Sequence, residues 1–327
     1  MFVLAHLSDP HLGPLPPPQW RELLGKRATG FINWRRKRHL IHRGDVLARI
    51  VADLKAQAPD HIAVSGDLVN ISLPGEYLPA LAWLSSLGPP DDVTLVPGNH
   101  DVYTRGAARF PQLHWSRYMR GDDDAETAFP FLRRRGPLAL IGLSSAVPTA
   151  LFMATGRLGG EQLARLAPTL DDCGRKGLFR VVMIHHPPIS PPARRFKRLL
   201  DGVDFCAVLA RHGAELVIHG HDHLHSLIEL KGPRGPIPVV GVPSASEAPP
   251  GEHDRAGYNL YRVEGEAGAW CCDAISRGLS AGGDTVVEVR RTRLAGPWAR
   301  RRGPSSAGRA GREVRLWLRT EQQRGGD

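Results

Sequence analysis

Short apolar runs alternate with longer amphipathic segments in the first part of the chain. The apolar runs have the length of buried strands, and the segments between them space their apolar residues as a helix does. This pattern predicts strands at 2–7, 62–65 and 93–96, with helices at 41–56 and 74–87 between them. Strands and helices that alternate in this order are typical of a parallel sheet.

The pattern changes after about residue 225. Before that point the alternation continues, with strands predicted at 138–143, 179–184 and 216–218 and helices at 159–170 and 205–211. Beyond it, short strands separated by turns are predicted at 226–230, 238–242, 259–263, 268–274 and 286–290, as in a sheet completed by hairpins. We therefore predict an α/β fold in which two mixed sheets stack and helices flank them.

Residues 103–137 show no clear period. Within them, the acidic run 122–124 and the basic run 133–135 are interpreted as solvated surface turns.

Length and composition indicate a globular protein. The 327 residues suit one large domain or two smaller ones, and 42% apolar residues are enough to fill a core. No stretch approaches the roughly 20 apolar residues of a membrane span. The apolar start at 1–7 lacks a basic region before it, so a cleaved signal is not expected and the chain is predicted to be cytoplasmic. Four unevenly spaced cysteines do not form a disulfide framework or a thiolate metal site.

The net charge of +10 is concentrated in two segments. Residues 21–43 carry eight Lys or Arg against one acid, and residues 290–327 carry eleven Arg against three acids, so the rest of the chain is mildly acidic. The second segment is rich in Gly, Pro, Ser and Arg. We expect a catalytic domain at 1–293 and a disordered tail at 294–327, in which 314–318 forms a short helix at most.

The first basic segment lies in an insert, 20–42, where aromatic and aliphatic residues alternate with cations. Such a segment can contact an anionic membrane surface or nucleic acid. An equally good interpretation is an amphipathic cap over an active site, with its cations facing water. With 6% aromatic residues and no known nucleic-acid-binding motif, no specific nucleic acid partner is expected.

Five predicted strands end in residues that can bind metals. These ends are Asp9-Pro10-His11, Gly66-Asp67, Gly98-Asn99-His100-Asp101, His185-His186 and His221-Asp222-His223. Each is weak alone, because turns also favour Asn, Asp and Gly. Together they offer oxygen and nitrogen ligands without thiolates, which suits a hard or borderline divalent ion such as Mn, Fe or Zn. Seven positions exceed one tetrahedral shell, so two ions sharing a carboxylate are predicted, an arrangement suited to phosphoryl displacement.

In their order along the chain, these five blocks resemble the signature of calcineurin-like metallophosphoesterases. Gly66 to Asn70, followed by Pro74 and Glu76-Tyr77, together with His185 to Pro188, looks most like the bacterial cyclic-nucleotide and glycerophosphodiester phosphodiesterase branch. The resemblance spans residues 9–223 and leaves out the insert and the tail. It implies a four-layer αββα sandwich.

The resemblance also implies roles for eight residues. Asp9, His11 and His223 would hold one metal, and Asn99, His185 and His221 the other, with Asp67 bridging both. A water shared by the two cations would be the nucleophile. His100 would bind a phosphoryl oxygen or protonate the leaving alkoxide.

Several neighbouring residues have open roles. His186 is the alternative to His185 as a ligand, or lines the substrate pocket. Asp101 and Asp222 are expected to support the turns, and His225 could face the cleft. Asn70 and Arg105 are candidate substrate contacts. The other histidines are interpreted as surface, core or supporting residues: His6, His42, His61, His114, His212, His219 and His253.

Three function hypotheses follow. The first is a phosphodiesterase with two metal ions that acts on a small phosphodiester, either a cyclic nucleotide or a glycerophosphodiester. The second is a pyrophosphohydrolase of the kind that cleaves UDP-diacylglucosamine, with the insert 20–42 in peripheral contact with an anionic membrane. The third, a scaffold without activity, is disfavoured because every ligand position is kept. A nuclease would be a further variant of the same chemistry, with phosphate contacts from the basic tail.

Overall fold

The structure is a computed structural model, and it describes residues 1–123, 127–248 and 254–296. Its strands are β1 (Phe2–Leu7), β2 (His61–Val64), β3 (Val93–Leu95), β4 (Phe131–Arg135), β5 (Leu138–Gly142), β6 (Phe179–Met183), β7 (Leu216–His219), β8 (Ser226–Lys231), β9 (Pro236–Gly241), β10 (Gly257–Glu264), β11 (Cys271–Leu279) and β12 (Val286–Ala295). Its α-helices are α1 (Lys26–Asn33), α2 (His39–Ile41), α3 (Gly44–Ala56), α4 (Tyr77–Leu87), α5 (Phe110–Trp115), α6 (Gly160–Arg175) and α7 (Gly202–His212). A π-helical turn, Trp34–Arg38, joins α1 to α2.

The strands form two six-stranded mixed sheets. The first has the order β12-β11-β10-β1-β2-β3, and the second has the order β4-β5-β6-β7-β9-β8. Strands β1, β2 and β3 are parallel neighbours, and so are β5, β6, β7 and β9. The hairpin strands β10 to β12 extend the first sheet by antiparallel pairing. The prediction of two mixed sheets completed by hairpins is confirmed.

Alternate residues of each buried strand face different layers, as the two-residue period of a strand requires. In β6, Val181 and Met183 belong to the core between the sheets, whereas Val182 packs with Ile184 against α6 and α7. The first sheet packs its outer side on apolar residues of α3 and α4. The helices therefore enclose the two sheets, and the predicted four-layer sandwich is confirmed.

Two departures from the predicted elements have clear physical causes. Arg133 and its neighbours lie in β4 and not in a solvated turn, because the Arg133 guanidinium donates to the backbone carbonyls of Pro90, Val93, Arg117 and Arg120 and is buried. The helix predicted at 41–56 begins at Gly44, because the insert before it has its own helices.

Two further differences concern the chain after residue 264. Strand β11 begins at Cys271, after the turn that contains the positive-φ residues Gly265 and Gly268, and not at residue 268. Strand β12 continues to Ala295, so the first two residues of the predicted tail lie in this strand, and Ala295 pairs with Cys272 of β11. The rest of that tail, from residue 297, lies outside the described residues, as do His253 and Asp124 of the acidic run.

The insert folds against the body of the protein through its aromatic residues. Phe31 and Trp34 pack on a small core that contains Leu15 and Ile71. The Arg27 guanidinium donates to the carbonyls of Ile71 and Ser72. The insert is therefore anchored beside the loop that follows β2, close to the carboxyl end of the first sheet.

Candidate metal centre

The carboxyl ends of β1, β2, β3, β6 and β7 meet at one place, as expected for parallel strands in two stacked sheets. One group there consists of Asp9, His11 and His223, whose potential ligand atoms all lie within 4.8 Å of one another. His223 Nε2 lies 3.2 Å from Asp9 Oδ1, and His11 Nε2 lies 3.9 Å from the same oxygen.

A second group lies beside the first. His185 Nε2 lies 3.3 Å from Asp67 Oδ2, 3.2 Å from Asn99 Oδ1 and 3.2 Å from His221 Nδ1. The Asp67 carboxylate joins the two groups, because its Oδ2 is also 4.0 Å from His11 Nε2. The structure thus brings all seven predicted positions together, with Asp67 between the two sets.

Five of these seven residues have a left-handed backbone. The φ angles are 53° for Asp9, 40° for His11, 56° for Asp67, 68° for His221 and 55° for His223. Only three other non-glycine residues share this property within the described part of the chain. Such conformations are uncommon for residues with a Cβ and concentrate at functional sites, where the surrounding structure imposes them.

Each of the four histidines is held by a hydrogen bond from the ring nitrogen that faces away from the centre. His185 Nδ1 donates to the Ser65 carbonyl at 2.7 Å, and His11 Nδ1 donates to the Val69 carbonyl at 3.2 Å. His221 Nε2 donates to the Lys197 carbonyl at 2.9 Å, and His223 Nδ1 donates to the Glu247 carboxylate at 2.9 Å. Because a carbonyl only accepts, each bond fixes the tautomer and leaves the other nitrogen for a metal.

His185 is better placed as a ligand than His186. Both ring nitrogens of His186 already have partners, since Nε2 donates to the Ala154 carbonyl at 3.1 Å and Nδ1 accepts from the Ser145 hydroxyl at 2.8 Å. The His186 ring packs beside those of His185 and His221, with its centroid 4.3 Å from that of His221.

The loops that carry the centre pack without space for a larger residue at two glycines. A Cβ on Gly220 would lie 2.0 Å from Ser8 Oγ and 2.5 Å from Asp9 Oδ2. A Cβ on Gly98 would lie 2.2 Å from Asp67 Oδ1. Only glycine permits this approach, which presses the loops after β7 and β3 against the two carboxylates.

Asp101 ties two of these loops together. Its Oδ2 accepts from the backbone N–H groups of Gly98 and Asp67, both at 2.8 Å, and its Oδ1 accepts from Leu68 at 2.8 Å and Val69 at 3.1 Å. Burial and the nearby Asp67 carboxylate raise the pKa of Asp101, and the N–H groups oppose that rise. The predicted supporting role of Asp101 agrees with this geometry, whereas Asp222 forms an ion pair with Arg194.

Buried carboxylates raise the pKa of two of the four histidines, whereas the pKa of the other two is lowered. Burial alone would lower the pKa of His185, but the adjacent Asp67 carboxylate outweighs burial and raises it to about 10. In the same way Asp9 and Glu247 outweigh burial at His223 and raise its pKa to about 9. Burial lowers the pKa of His11 and His221 well below its usual range, with further lowering from Arg38 at His11. The carboxylates that raise these two pKa values would also attract divalent cations, which compete with protons for the imidazole nitrogens.

His100 and Arg38 line the open side of the centre. Nδ1 of His100 donates to the Asn70 carbonyl, and its ring stacks on Tyr103 with centroids 5.3 Å apart. The Arg38 guanidinium lies 2.8 Å from His11 Nε2 and 3.2 Å from both ring nitrogens of His100. Burial and then Arg38 lower the pKa of His100 to about 3, so its ring is neutral near pH 7.

A cleft of about 820 Å³ opens above this side. The insert forms one wall, with Lys26, Asn33, Lys37 and Arg38 among its lining residues. The facing wall comes from two loops and includes Phe152, Met153, Arg194, Phe196 and Lys197. The interpretation of the insert as a cap agrees with this geometry, but its cations do not all face water, because three of them line the cleft.

Three residues that the sequence suggested as neighbours of the cleft do not line it, and two residues at the centre were not predicted. Asn70 donates its side-chain amide to the Leu12 carbonyl. Arg105 is exposed and His225 is half-buried, and neither lines the cleft. Arg38 and Glu247 were missed. A cation within an Arg-rich run and an isolated Glu have no local signal that distinguishes them from surface residues.

Comparison with known proteins identifies the family. The model of the calcineurin-like phosphoesterase family matches residues 2–225, which include every residue of the predicted centre. The chain belongs to this family. Its members are metal-dependent phosphoesterases that use a binuclear divalent metal centre, so this protein is a phosphoric ester hydrolase.

Two relatives have been named as phosphodiesterases. A probable cyclic nucleotide phosphodiesterase from Synechococcus sp. is 28% identical over 226 residues, which cover 68% of this chain and 79% of that protein. The glycerophosphodiester phosphodiesterase GpdQ from Enterobacter lignolyticus is 30% identical over 196 residues, which cover 58% of each chain. The alignment with GpdQ thus spans little more than half of either protein.

Two solved structures share the fold at low sequence identity. A dimetal phosphatase from Danio rerio has a TM-score of 0.57 at 13% identity, covering 88% of this chain and 98% of that chain. A purple acid phosphatase from yellow lupin, Lupinus luteus, has a TM-score of 0.50 at 12% identity, covering 88% of this chain and 53% of that chain. These likenesses concern the fold alone.

In the described part of the chain, no helix combines the length and the apolar character needed to cross a bilayer.

Proposed function

We propose that this family member is a phosphodiesterase that uses two divalent metal ions to hydrolyse a P–O bond of a small phosphodiester. The observation that carries the proposal is the double ligand set around Asp67, in which seven side chains converge and each imidazole has one nitrogen directed inward. The two relatives named as phosphodiesterases favour a diester of the cyclic nucleotide or glycerophosphodiester class.

The residues present fit two divalent cations. Asp9, His11 and His223 would hold one ion, Asn99, His185 and His221 the other, and Asp67 both, since its Oδ2 faces a histidine of each group. Carboxylate, amide and imidazole donors suit Mn, Fe or Zn. Such a pair of ions supplies Lewis acidity and a water that ionises near neutral pH.

Arg38 would bind the phosphoryl group, and His100 would transfer a proton beside it. Arg38 carries a permanent charge between His11 and His100, at the floor of the cleft, where it can donate to an anionic phosphoryl oxygen. The Asn70 carbonyl fixes Nδ1 of His100 as the donor, so Nε2 of the neutral ring carries no proton. Nε2 would therefore first accept the proton released by the attacking water and then pass it to the leaving oxygen. Loss of His100 should therefore lower the turnover rate most for substrates whose leaving group is poor.

Turnover of aryl and alkyl phosphodiesters tests both the need for metal ions and the role of His100. Chelator-treated protein should regain activity with Mn, and Asn99→Ala should abolish it. His100→Gln should slow an alkyl diester far more than a nitrophenyl diester, because nitrophenolate leaves without a proton. His212→Gln, at a surface histidine paired with Asp171, is the matched control and should behave as wild type. Full activity after metal removal, with no metal found by elemental analysis, would refute the proposed function.

A second candidate function is cleavage of a larger, lipid-bearing phosphoester, such as the pyrophosphate of UDP-diacylglucosamine. The observation in its favour is the mixed character of the cleft, where Phe152 and Phe196 line the same space as Lys37, Arg194 and Lys197. Comparing turnover of cyclic AMP, glycerophosphocholine and UDP-diacylglucosamine separates the candidates. Preference for either of the first two supports the small-diester proposal, and preference for the third replaces it.

A further inference from the structure

Large exposed apolar side chains concentrate in the three segments that supply residues to the lining of the cleft. Of the fourteen found in the described part of the chain, nine come from three segments that flank it. They are Trp20, Leu24, Ile32, Leu40, Leu151, Phe152, Phe196, Leu200 and Val203. We call residues 20–41, 149–157 and 191–203 the rim. Scattered apolar residues need no explanation, but a cluster around one opening marks an interaction surface.

The three segments of the rim are held together by direct contacts. Lys26 Nζ, on the insert, donates to Thr149 Oγ1 at 2.5 Å and to the Met153 carbonyl at 2.9 Å. The second and third segments pair through their backbones, where Ala154 N donates to the Phe196 carbonyl at 2.8 Å and a parallel bridge joins Gly156 to Leu199. The rim is therefore a connected surface and not three independent loops.

Cations are interleaved with these apolar side chains. On the insert, the exposed side chains of Ile32 and Leu40 stand on either side of the exposed basic run 35–37 in the chain. The third segment presents Arg195, Lys197 and Arg198 beside the exposed Phe196. Apolar side chains surrounded by Lys and Arg are the composition of surfaces that lie in the headgroup region of an anionic bilayer.

Phe152 shows that one apolar side chain is held outward at a conformational cost. It is 81% exposed and has a φ of 62°, which is a rare backbone conformation for a bulky residue. Its neighbour Leu151 is also exposed. Phe152 also lines the cleft, so it lies where the cleft opens onto the rim.

The chemistry of the rim favours lipid over nucleic acid. Six of the nine apolar side chains are aliphatic, and aliphatic groups insert among acyl chains but give no platform for stacked bases. We propose that the rim docks on the surface of an anionic phospholipid bilayer, with the mouth of the cleft facing the headgroups. This binding is independent of the metal chemistry and can be measured without turnover.

Vesicle binding tests the proposal with matched variants of the full chain. The rim variant combines Trp20→Ser, Leu24→Ser and Leu40→Ser, which remove side chains exposed by 71%, 67% and 66%. The control combines Leu78→Ser, Leu113→Ser and Val289→Ser, which remove side chains exposed by 63%, 71% and 55% away from the rim. Urea unfolding checks that both variants are folded.

Wild type and control should sediment with phosphatidylglycerol-containing vesicles, more weakly at high salt, and only marginally with phosphatidylcholine alone. The rim variant should bind at least about tenfold more weakly, because each lost insertion of a large apolar side chain costs more than the 1.4 kcal/mol of one decade. Equal binding of the rim variant and the control would overturn the proposal, since the basic tail alone would then account for it. Absence of wild-type binding would overturn it as well.

Discussion

Asp101→Asn is the substitution for which the structure gives the sharpest expectation. The Asp101 carboxylate is fully buried and accepts four backbone hydrogen bonds, two at each oxygen. An asparagine of the same shape keeps one accepting oxygen and turns its NH₂ toward the other two N–H donors. Each buried donor left without an acceptor costs about 1–3 kcal/mol, so we expect a loss of about 2–6 kcal/mol in the free energy of unfolding.

Urea denaturation followed by tryptophan fluorescence measures this loss. The midpoint should fall while the slope of the transition stays unchanged, because the same surface is exposed on unfolding. Asp60→Asn is the control, since the exposed Asp60 carboxylate accepts from Val3 N alone among the described residues and water can replace it. The loops tied by Asp101 also carry Asp67 and Asn99, so metal affinity in competition with a chelator should fall in parallel. A free energy of unfolding within about 1 kcal/mol of wild type would refute this account of the loops.

Three other outcomes are expected. Glu247→Ala should weaken metal binding about 10- to 100-fold in a chelator titration, because His223 loses the carboxylate that orients its ring at 2.9 Å. Glu247→Gln keeps an acceptor and should lose less affinity. Equal metal affinities of Glu247→Ala and wild type would contradict this role of Glu247. Gly220→Ala should cost about 1–3 kcal/mol in urea unfolding because the added methyl meets Ser8 Oγ at 2.0 Å, whereas wild-type stability would show that the two loops can separate freely. Burial, followed by Arg135 and Arg133, lowers the pKa of His61 from 6.5 to about 3, so between these values only the unfolded chain binds this proton and stability falls as the pH falls. His61→Gln should therefore reduce the slope of unfolding free energy against pH by up to about 1.4 kcal/mol per unit over that window, and an unchanged slope would show that His61 titrates normally when folded.

The sequence was informative about the centre for a topological reason. Parallel strands place their carboxyl ends at one edge, so polar residues that follow apolar runs can be assigned to a common site before any coordinates are known. Asp9, Asp67 and His221 were found in this way, and each follows a strand that the structure contains. The family signature then suggested how the ligands divide between two ions.

Local sequence failed where a side chain finds its partner far along the chain. Arg133 looked like one cation of a solvated run, but the carbonyls that bury it come from residues 90–120. Arg38 looked like another, yet the packing of Phe31 and Trp34 on Leu15 and Ile71 holds the insert so that Arg38 points into the centre.

The sequence by itself determined the alternation of strands and helices, the stacking of two sheets and the identity of the residues at the strand ends. These follow from hydrophobic periodicity, which acts over a few neighbouring residues. Only the tertiary structure decided which nitrogen of each histidine faces the centre, that His185 rather than His186 does so, and that the insert forms one wall of the cleft. Those choices depend on single hydrogen bonds between distant segments, such as the one from His185 to Ser65 across 120 residues, and no local pattern encodes them.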